Sequence, residues 1–333
     1  MSLRESDLIM PSAAGLYCPA GDFHIDPLQP SATAIITHAH GDHARPGSEQ
    51  YFGSRTGLPL LHERLPGAAI DGLAYGEQRR FGRALVSLHP AGHILGSSQV
   101  RIEVDGRVCV VSGDYKRDAD PTCAPFEVVP CDVFVTEATF ALPVYRWPPM
   151  DEIVRDVLAW WDACAARGVP AVLFCYALGK AQRLLAELAL RSERPVHLHG
   201  AMLGLVERYR ELGVAMVPTV AVSDSARGRD FAGELILAPP SAAGSPWMRR
   251  FANASTAFAS GWMRIRGNRR RRGYDRGFVV SDHADWPSLI ATIRATGAQR
   301  VLPTHGNTDA LVPYLCELGY DAEPLRTLYG GDD

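Results

Sequence analysis

Residues 37–43 read Thr37-His38-Ala39-His40-Gly41-Asp42-His43 and follow directly on the apolar run Ala34-Ile35-Ile36. The apolar run predicts a buried strand, so three histidines and an aspartate fall in the loop at its end. Imidazole and carboxylate groups are common ligands of divalent cations. A strand end fixes the first of these side chains while the tight loop turns the others inward. The segment therefore predicts a metal site at the end of a strand.

Further polar side chains follow other apolar segments of the chain. His93 lies in a glycine-flanked turn, Asp114 follows the strand predicted over 108–111, and His305 follows the strand predicted over 301–304. Counted with the first loop, the side chains supply enough nitrogen and oxygen ligands for two cations with a water between them. The candidate ligands are His38, His40, Asp42, His43, His93, Asp114 and His305.

The composition is typical of a globular chain. With 333 residues and 47% hydrophobic content, the chain can bury a sizeable core in one large or two medium domains. Its first residues lack the layout of a signal peptide, and no apolar run reaches membrane-spanning length, so we expect a cytoplasmic protein that does not contact a membrane. Seven cysteines spread singly argue against a disulfide framework or a structural zinc knuckle.

Charge is distributed unevenly along the chain. The formal net charge is −3, but residues 264–276 hold seven arginines and one aspartate, so this segment carries +6 and the remainder −9. A polyanion such as nucleic acid would therefore meet a local patch. The alternative is an exposed charged loop that only serves solubility.

Three patterns succeed one another along the chain. Up to about residue 140 short strands alternate with Gly/Pro turns. A helix is predicted over Asp151–Arg167, and alternating strands and helices follow over 171–212, which is typical of a parallel α/β unit. The final segment, 301–318, again reads strand, histidine loop and helix.

The order of these motifs resembles that of a known superfamily. The loop 37–43, the His93 turn, Asp114 and His305 look like the successive motifs of the metallo-β-lactamase superfamily. Glu137 and His283 resemble the acidic motif A and the histidine motif B of its β-CASP nucleic-acid-processing branch, with His305 as motif C. Within that branch, four segments are similar to the bacterial ligase-associated DNA exonucleases: 113–117, 121–127, 142–147 and 269–273.

The resemblance implies a fold and a division into domains. The fold class would be α/β, an αββα metallo-β-lactamase sandwich with an inserted β-CASP α/β domain. Residues 1–150 and 275–333 would form the metallo-β-lactamase domain, and residues 151–274 the β-CASP domain.

The resemblance also implies how the ligands are shared between two divalent cations. One cation would take His38, His40 and His93, and the other Asp42, His43 and His305. Asp114 would bridge the two cations at a separation of about 3.5 to 4 Å. Zinc is the expected metal, with manganese and iron as alternatives, because these ligand types accept all three.

The activity implied is that of a DNA exonuclease. It would hydrolyse phosphodiester bonds with a hydroxide activated by two metals, 5′ to 3′ on single-stranded DNA or DNA ends, in DNA repair. Asp42 would also orient the hydroxide, His283 would stabilise the phosphate or protonate the leaving oxygen, and Glu137 would hold His283. The alternative for the last pair is a structural hydrogen bond at a strand end.

Contacts with nucleic acid are expected at three places. Lys180 begins a helix and could bind a phosphate with the backbone amides, or be an ordinary surface lysine. Tyr145 and Arg146 could stack on unpaired bases, or pack at the seam between the two domains. The candidates are Lys180, Arg146, Tyr145, Arg264, Arg266, Arg269, Arg270, Arg271 and Arg272. The resemblance further implies DNA as the partner, beside an ATP-dependent DNA ligase and a helicase.

Three other functions remain open at this stage. An RNA-processing β-CASP endonuclease or exonuclease would use the same two-metal chemistry. A hydrolase of small esters or thioesters would have no obvious use for the inserted domain and the arginine cluster. A catalytically silent nucleic-acid-binding scaffold would be expected to lack metal ligands, and none of the seven positions departs from the pattern.

Overall fold

The computed structural model describes residues 8–225, 228–265, 267 and 273–325. The strands are β1 (Met10–Ser12), β2 (Gly15–Cys18), β3 (Phe23–Ile25), β4 (Thr33–Ile35), β5 (Gln50–Ser54), β6 (Ile70–Leu73), β7 (Gln78–Phe81), β8 (Ala84–Pro90), β9 (Ser98–Val104), β10 (Arg107–Val111), β11 (Val133–Glu137), β12 (Ala171–Phe174), β13 (Val196–Leu198), β14 (Thr219–Ala221), β15 (Leu235–Ala238), β16 (Ser255–Ala259), β17 (Arg276–Phe278), β18 (Arg300–Thr304) and β19 (Asp321–Ala322).

Helices connect most of the parallel strands. The α-helices are α1 (Leu58–Arg64), α2 (Met150–Ala166), α3 (Lys180–Ala189), α4 (Gly200–Glu211), α5 (Trp286–Thr296) and α6 (Thr308–Glu317). Short 3-10 helices cover Arg55–Gly57, Val222–Asp224, Pro240–Ala242, Pro246–Arg250 and Gly261–Arg264. The predicted α/β class is confirmed. No helix in the described ranges has the length and apolar character needed to cross a membrane.

The chain divides into two compact units. Unit 1 comprises Met1–Tyr145 and His283–Asp333, and unit 2 comprises Arg146–Asp282. Unit 1 is thus built from two separate stretches of chain, and unit 2 from the stretch between them.

Unit 1 contains two sheets that share a core. The first sheet has the order β1-β2-β3-β4-β5-β6 and the second β19-β18-β11-β10-β9-β8-β7. Phe23 and Ile35 of the first sheet belong to the same buried cluster as Val86 and Val100 of the second. Because the strands of each sheet alternate their side chains between two faces, one face of each sheet supplies this core.

The other face of the second sheet is covered by helices. In β11, Val135 belongs to the core between the sheets, whereas Phe134 packs in a different cluster with Leu289 and Ile293 of α5 and with Leu311 of α6. Both faces of β11 are therefore buried, which explains why the strand begins with three consecutive apolar residues rather than an alternating pattern.

Three neighbouring strands of the second sheet carry the site. β10, β11 and β18 are parallel, with Val111 opposite Val135 and Glu137 opposite Thr304. Since the carboxyl ends of parallel strands lie at one edge of a sheet, the residues that follow these three strands meet there. Asp114 and His305 follow β10 and β18, and Glu137 is the last residue of β11.

Unit 2 is a parallel sheet covered on both faces. Its order is β14-β13-β15-β12-β16-β17, and all its pairs are parallel. Val157 and Trp161 of α2 pack with Leu173 of β12 on one face, whereas Phe174 of the same strand packs on the other. The helix predicted over Asp151–Arg167 is α2, whose buried residues recur at helical spacing.

Candidate metal centre

Four side chains converge on one point in unit 1. Nδ1 of His40 lies 3.0 Å from Nε2 of His38 and 3.1 Å from Nε2 of His93. Oδ2 of Asp114 lies 3.5 Å from the same His38 nitrogen and 3.8 Å from that of His93. The ligand atoms of these four residues all lie within 4.8 Å of one another.

The donor set fits a divalent cation. A tetrahedral zinc with bonds of about 2.0–2.1 Å holds its nitrogen ligands roughly 3.3 Å apart. The ring nitrogens of His40 and its two neighbours are spaced at nearly that distance. Three imidazoles packed together without a shared proton or cation would point their lone pairs at one another. A cation among them removes that repulsion.

A second group of ligands adjoins the same carboxylate. Nε2 of His43 lies 3.4 Å from Oδ2 of Asp114 and 3.6 Å from Oδ2 of Asp42. The ring of His305 stacks on that of His43, with centroids 6.0 Å apart and planes 15° apart. One oxygen of Asp114 thus faces both groups, which is the position that a bridging ligand requires.

Asp26 completes this second group and was not among the predicted site residues. Its Oδ2 accepts hydrogen bonds from Oγ1 of Thr37 at 2.6 Å and from Nδ1 of His43 at 2.7 Å. Its Oδ1 accepts from the backbone N–H of Thr37 at 2.8 Å. Because Nδ1 of His43 donates to Asp26, Nε2 is the nitrogen left to bind a cation at the centre. The signal was present, since Asp26 follows β3 directly, just as other acidic candidates follow strands.

Burial and neighbouring charges set the protonation of the cluster. Burial, aided by His43, lowers the pKa of His38 well below its usual value. Burial also lowers the pKa of His43, but Asp114 and Asp26 outweigh it and hold that pKa well above 6.5. Burial raises the pKa of Asp114, but His43 and His283 outweigh it and hold the pKa far below 3.8. The carboxylate is therefore ionised, and a cation would displace the proton of His43.

Glu137 and His283 form a pair beside the metal ligands. Nδ1 of His283 lies 2.9 Å from Oε2 of Glu137, whose Oε1 accepts from the backbone N–H of Tyr115 at 2.7 Å. Nδ1 of His283 is also 4.0 Å from Oδ2 of Asp114, and its ring lies 4.8 Å from that of His93. Glu137 is buried, so the orientation of the imidazole is held from inside the protein.

A pocket opens beneath these side chains. Its empty volume is about 310 Å³, part of which is open to solvent. The lining includes acidic, imidazole and aliphatic groups: Leu16, Asp26, His43, Val111, Ser112, Gly113, Asp114, Val135, Glu137, Thr304 and His305.

The residues expected to bind nucleic acid differ in their exposure to solvent. Lys180 is buried, with Nζ 2.8 Å from Oδ2 of Asp282 and 5.2 Å from the ring centroid of Tyr176. Tyr145 is also buried, with 2% of its surface exposed. Arg146 and Arg264 are exposed. The other predicted arginines lie outside the described residues: Arg266, Arg269, Arg270, Arg271 and Arg272.

Comparison with known proteins gives relatives with nuclease and ligase names. No protein-family model matches the chain. A protein from Opitutus terrae named probable DNA ligase is 33% identical over 316 residues, covering 92% of this chain and 30% of that protein. Ribonuclease TTHA0252 of Thermus thermophilus is 30% identical over 55% of this chain and 49% of its own length. An RNase J-like protein of Methanocaldococcus jannaschii is 28% identical over 35% of this chain and 28% of its own length.

A solved structure resembles the fold. A protein of unknown function from Enterococcus faecalis matches with a TM-score of 0.56 and 13% identity, over 81% of this chain and 74% of that one. The chain spans less than a third of the ligase-named and RNase J-like relatives that it matches. Taken with the histidine and aspartate cluster, the ribonuclease-named relatives indicate the metallo-β-lactamase/β-CASP superfamily.

Proposed function

We propose that this chain is a metal-dependent DNA exonuclease of the β-CASP branch, acting 5′ to 3′ on single-stranded DNA or DNA ends. One observation carries the proposal: a single carboxylate, Asp114, joins the histidine cluster to both His43 and the Glu137–His283 pair. A hydrolytic two-metal site needs a ligand shared by the cations and an acid or base beside it. This arrangement supplies candidates for both.

The residues present fit two divalent cations. His38, His40 and His93 would hold one, and Asp42, His43 and His305 the other, with Asp114 shared. Such cations activate water and offset the charge that builds up on an attacked phosphate. The identity of the metal is part of the proposal, with zinc, manganese and iron as candidates.

The chain's own acid and base groups complete the proposed chemistry. The Asp42 side chain is 51% exposed, so it can meet a water at the mouth of the site and accept its proton. His283 can donate a proton to the leaving oxygen of the broken phosphodiester. Glu137 would hold the ring in place, because its Oε2 lies 2.9 Å from Nδ1 of His283.

The finer fold assignment is also a proposal. Two sheets sharing a core, with α5 and α6 packed on the outer face of the second sheet, support an αββα sandwich for residues 1–150 and 275–333. The parallel sheet with helix α2 on one face supports an inserted β-CASP domain over residues 151–274.

Contacts with the substrate are proposed at described side chains that are exposed to solvent. Arg146 and Arg264 are exposed and could meet phosphates directly. Tyr145 and Lys180 are buried, so their contact with nucleic acid would first require them to be uncovered. The arginines at 266 and 269–272 are proposed from charge alone.

The choice of DNA over RNA rests on the relative named probable DNA ligase, which covers most of this chain. That name also supports action beside a DNA ligase in repair, and a helicase partner is proposed from the sequence resemblance. The ribonuclease-named relatives favour the second candidate, an RNA-processing nuclease. The two candidates share the metal site and differ in substrate.

End-labelled substrates test the proposal. The full chain, stripped by chelator and reloaded with zinc or manganese, is incubated with 5′- and 3′-labelled single-stranded DNA and with the matched RNA. A DNA ladder shortening from the 5′ end is expected, with cleavage lost in His40→Ala and Asp42→Asn. Faster cleavage of RNA would favour the second candidate. Near-normal cleavage by variants shown to lack metal would contradict the mechanism.

A further inference from the structure

An arginine lies against the backbone of the metal-ligand loop. Arg64 is the last residue of α1, and a Cβ built on Gly41 would overlap its Nη2 and lie 2.7 Å from its Cζ. Gly41 separates His40 from Asp42 in the chain. The guanidinium therefore sits over the peptide that carries two of the candidate ligands, in the space that a side chain at Gly41 would fill.

The packing of α1 fixes the helix that carries this arginine. Leu60 and Leu61 are buried, and a Cβ on Gly53 of β5 would lie 2.5 Å from Cδ1 of Leu61. The helix thus packs closely on the first sheet of unit 1. The carboxyl end of a helix also favours a cation, because the last carbonyls carry partial negative charge.

Arg64 is exposed and forms no ion pair among the described residues. Three other exposed arginines of unit 1 have carboxylate partners. These pairs are Arg55 with Glu77, Arg79 with Asp71, and Arg83 with Asp105. A guanidinium without a carboxylate keeps its donors available for an anion, and its planar fork matches two oxygens of a phosphate.

We propose that Arg64 binds a non-bridging oxygen of a substrate phosphate beside the metal cluster. The proposal rests on the proposed function and adds to it a residue that determines how tightly the polynucleotide is held. The ligand is a phosphate of the sugar-phosphate backbone, which DNA and RNA share. The contact would orient the strand at the loop 37–43 without taking part in bond breaking.

Kinetics of Arg64→Ala test the contact. Loss of a charge-assisted hydrogen bond predicts a KM for single-stranded DNA raised about tenfold or more, with kcat within about twofold. Because one phosphate contact contributes roughly 0.7 to the slope of log affinity against log salt, that slope should become shallower by about this amount. Fluorescence anisotropy with a labelled oligothymidylate gives the same comparison without turnover. Arg83→Ala, an exposed arginine paired with Asp105, is the matched control.

Gly41→Ala provides a second test that depends on the geometry. Gly41 does not have a positive φ, so its backbone accepts alanine, and the new Cβ would push the flexible guanidinium aside. Gly41→Ala should raise KM as Arg64→Ala does. In the Arg64→Ala background it should have no further effect, because the displaced group is already gone.

The outcomes separate this inference from the proposed function. If the wild-type chain cleaves DNA but Arg64→Ala leaves KM, oligonucleotide binding and the salt slope unchanged, Arg64 has no role in binding. Additive effects of the two substitutions would also overturn the inference. If the metal-loaded wild-type chain cleaves neither DNA nor RNA, the proposed function itself fails, whatever Arg64 binds.

Discussion

At the residue scale, the site depends on carboxylates that each serve more than one partner. Asp114 faces His43 at 3.4 Å, His38 at 3.5 Å and His283 at 4.0 Å. Asp26 receives three hydrogen bonds and holds the ring of His43 from behind. A single change at either carboxylate should therefore alter several histidines together.

Asp26→Asn should weaken the second group of ligands without removing a ligand. The neutral amide oxygen accepts a weaker hydrogen bond from Nδ1 of His43 than the carboxylate does, and weakening of such an outer partner typically costs about 10- to 100-fold in metal affinity. The free energy of unfolding should also fall by roughly 1–3 kcal/mol. Competition with a chelating dye measures the affinity, and urea unfolding measures the stability.

Asp22→Asn is the matched control for this substitution. Asp22 also has a left-handed backbone, with φ of 51° against 44° for Asp26, and it accepts a hydrogen bond from the half-buried Tyr17. Because the amide tolerates that backbone equally well, the control should bind metal like the wild type. Equal loss of metal from both variants would show that Asp26 does not act through His43.

His283→Ala should reduce kcat while both cations stay bound. Removal of a positioned proton donor typically lowers the rate about 10²- to 10⁴-fold. Glu137→Gln should lower kcat through the same histidine, so the double variant should be no slower than His283→Ala.

His89→Ala is the control, because it breaks a different imidazole–carboxylate pair, with Glu127 at 3.0 Å, and should keep the wild-type kcat. Multiplied losses in the double variant would contradict a joint role.

At this scale, residue type and position after a strand were sufficient to predict most of the candidate ligands. All seven candidate side chains lie in unit 1. The ligand atoms of four of them lie within 4.8 Å of one another. Asp26 was missed because its partner His43 lies 17 residues further along the chain. Its left-handed φ and its bonds to Thr37 depend on β3 and β4 pairing, which a local pattern does not show.

At the element scale, strand ends and tight loops place the ligands. The loop after β18 has φ of 57° at His305 and 71° at Gly306. Nearby, Asn307 donates its backbone N–H to the carbonyl of Ala138 at 2.8 Å. The loop after β18 thus lies against the segment that comes after β11.

Gly306→Ala should disrupt this loop more than its backbone angle alone predicts. A Cβ there would lie 2.6 Å from the carbonyl carbon of Ala138 and 2.6 Å from Cα of Thr139, both backbone atoms that yield poorly. Gly297→Ala, with φ of 70° and open space around it, should cost only about 1–2 kcal/mol. We expect a clearly larger loss in urea unfolding for Gly306→Ala, together with weaker metal binding. Equal losses of unfolding free energy in the two variants would contradict this, because they would show that the loop can move to accommodate the Cβ.

Helices were easier to predict than sheet order. Apolar spacing placed a helix over Asp151–Arg167, and the structure has it at Met150–Ala166. The short strand β14 was not predicted, because it has three residues and, within the part of the chain that the structure describes, pairs with β13 alone. Sheet order likewise results from contacts between distant segments, which periodicity does not report.

At the scale of the whole molecule, metal binding should raise the free energy of unfolding. Ligands of the cluster come from segments as far apart as Asp42 and His305, so a bound cation joins distant parts of unit 1. Metal at about 100 times its Kd should add roughly 2.7 kcal/mol to the free energy of unfolding. Chelation should therefore lower the Tm of the full chain, and added metal should restore it. Asp114→Asn should show a much smaller shift, whereas an equal shift would place the metal elsewhere.

Domain organisation could be predicted only in outline. The change from a strand-rich pattern to alternating strands and helices near residue 150 indicated a second unit, and contacts divide the chain after Tyr145 and after Asp282. The return of the chain to the first unit was expected from the superfamily resemblance. Hydrophobic periodicity alone does not show which sheet a late strand such as β18 joins.

Anomalous diffraction from crystals of the metal-loaded full chain tests the central claim most directly. The account predicts two peaks at the absorption edge of the metal, one among His38, His40, His93 and Asp114 and one among Asp42, His43, Asp114 and His305. They should be about 3.5 to 4 Å apart. A map without a peak beside Asp114, or with metal bound only elsewhere, would contradict it.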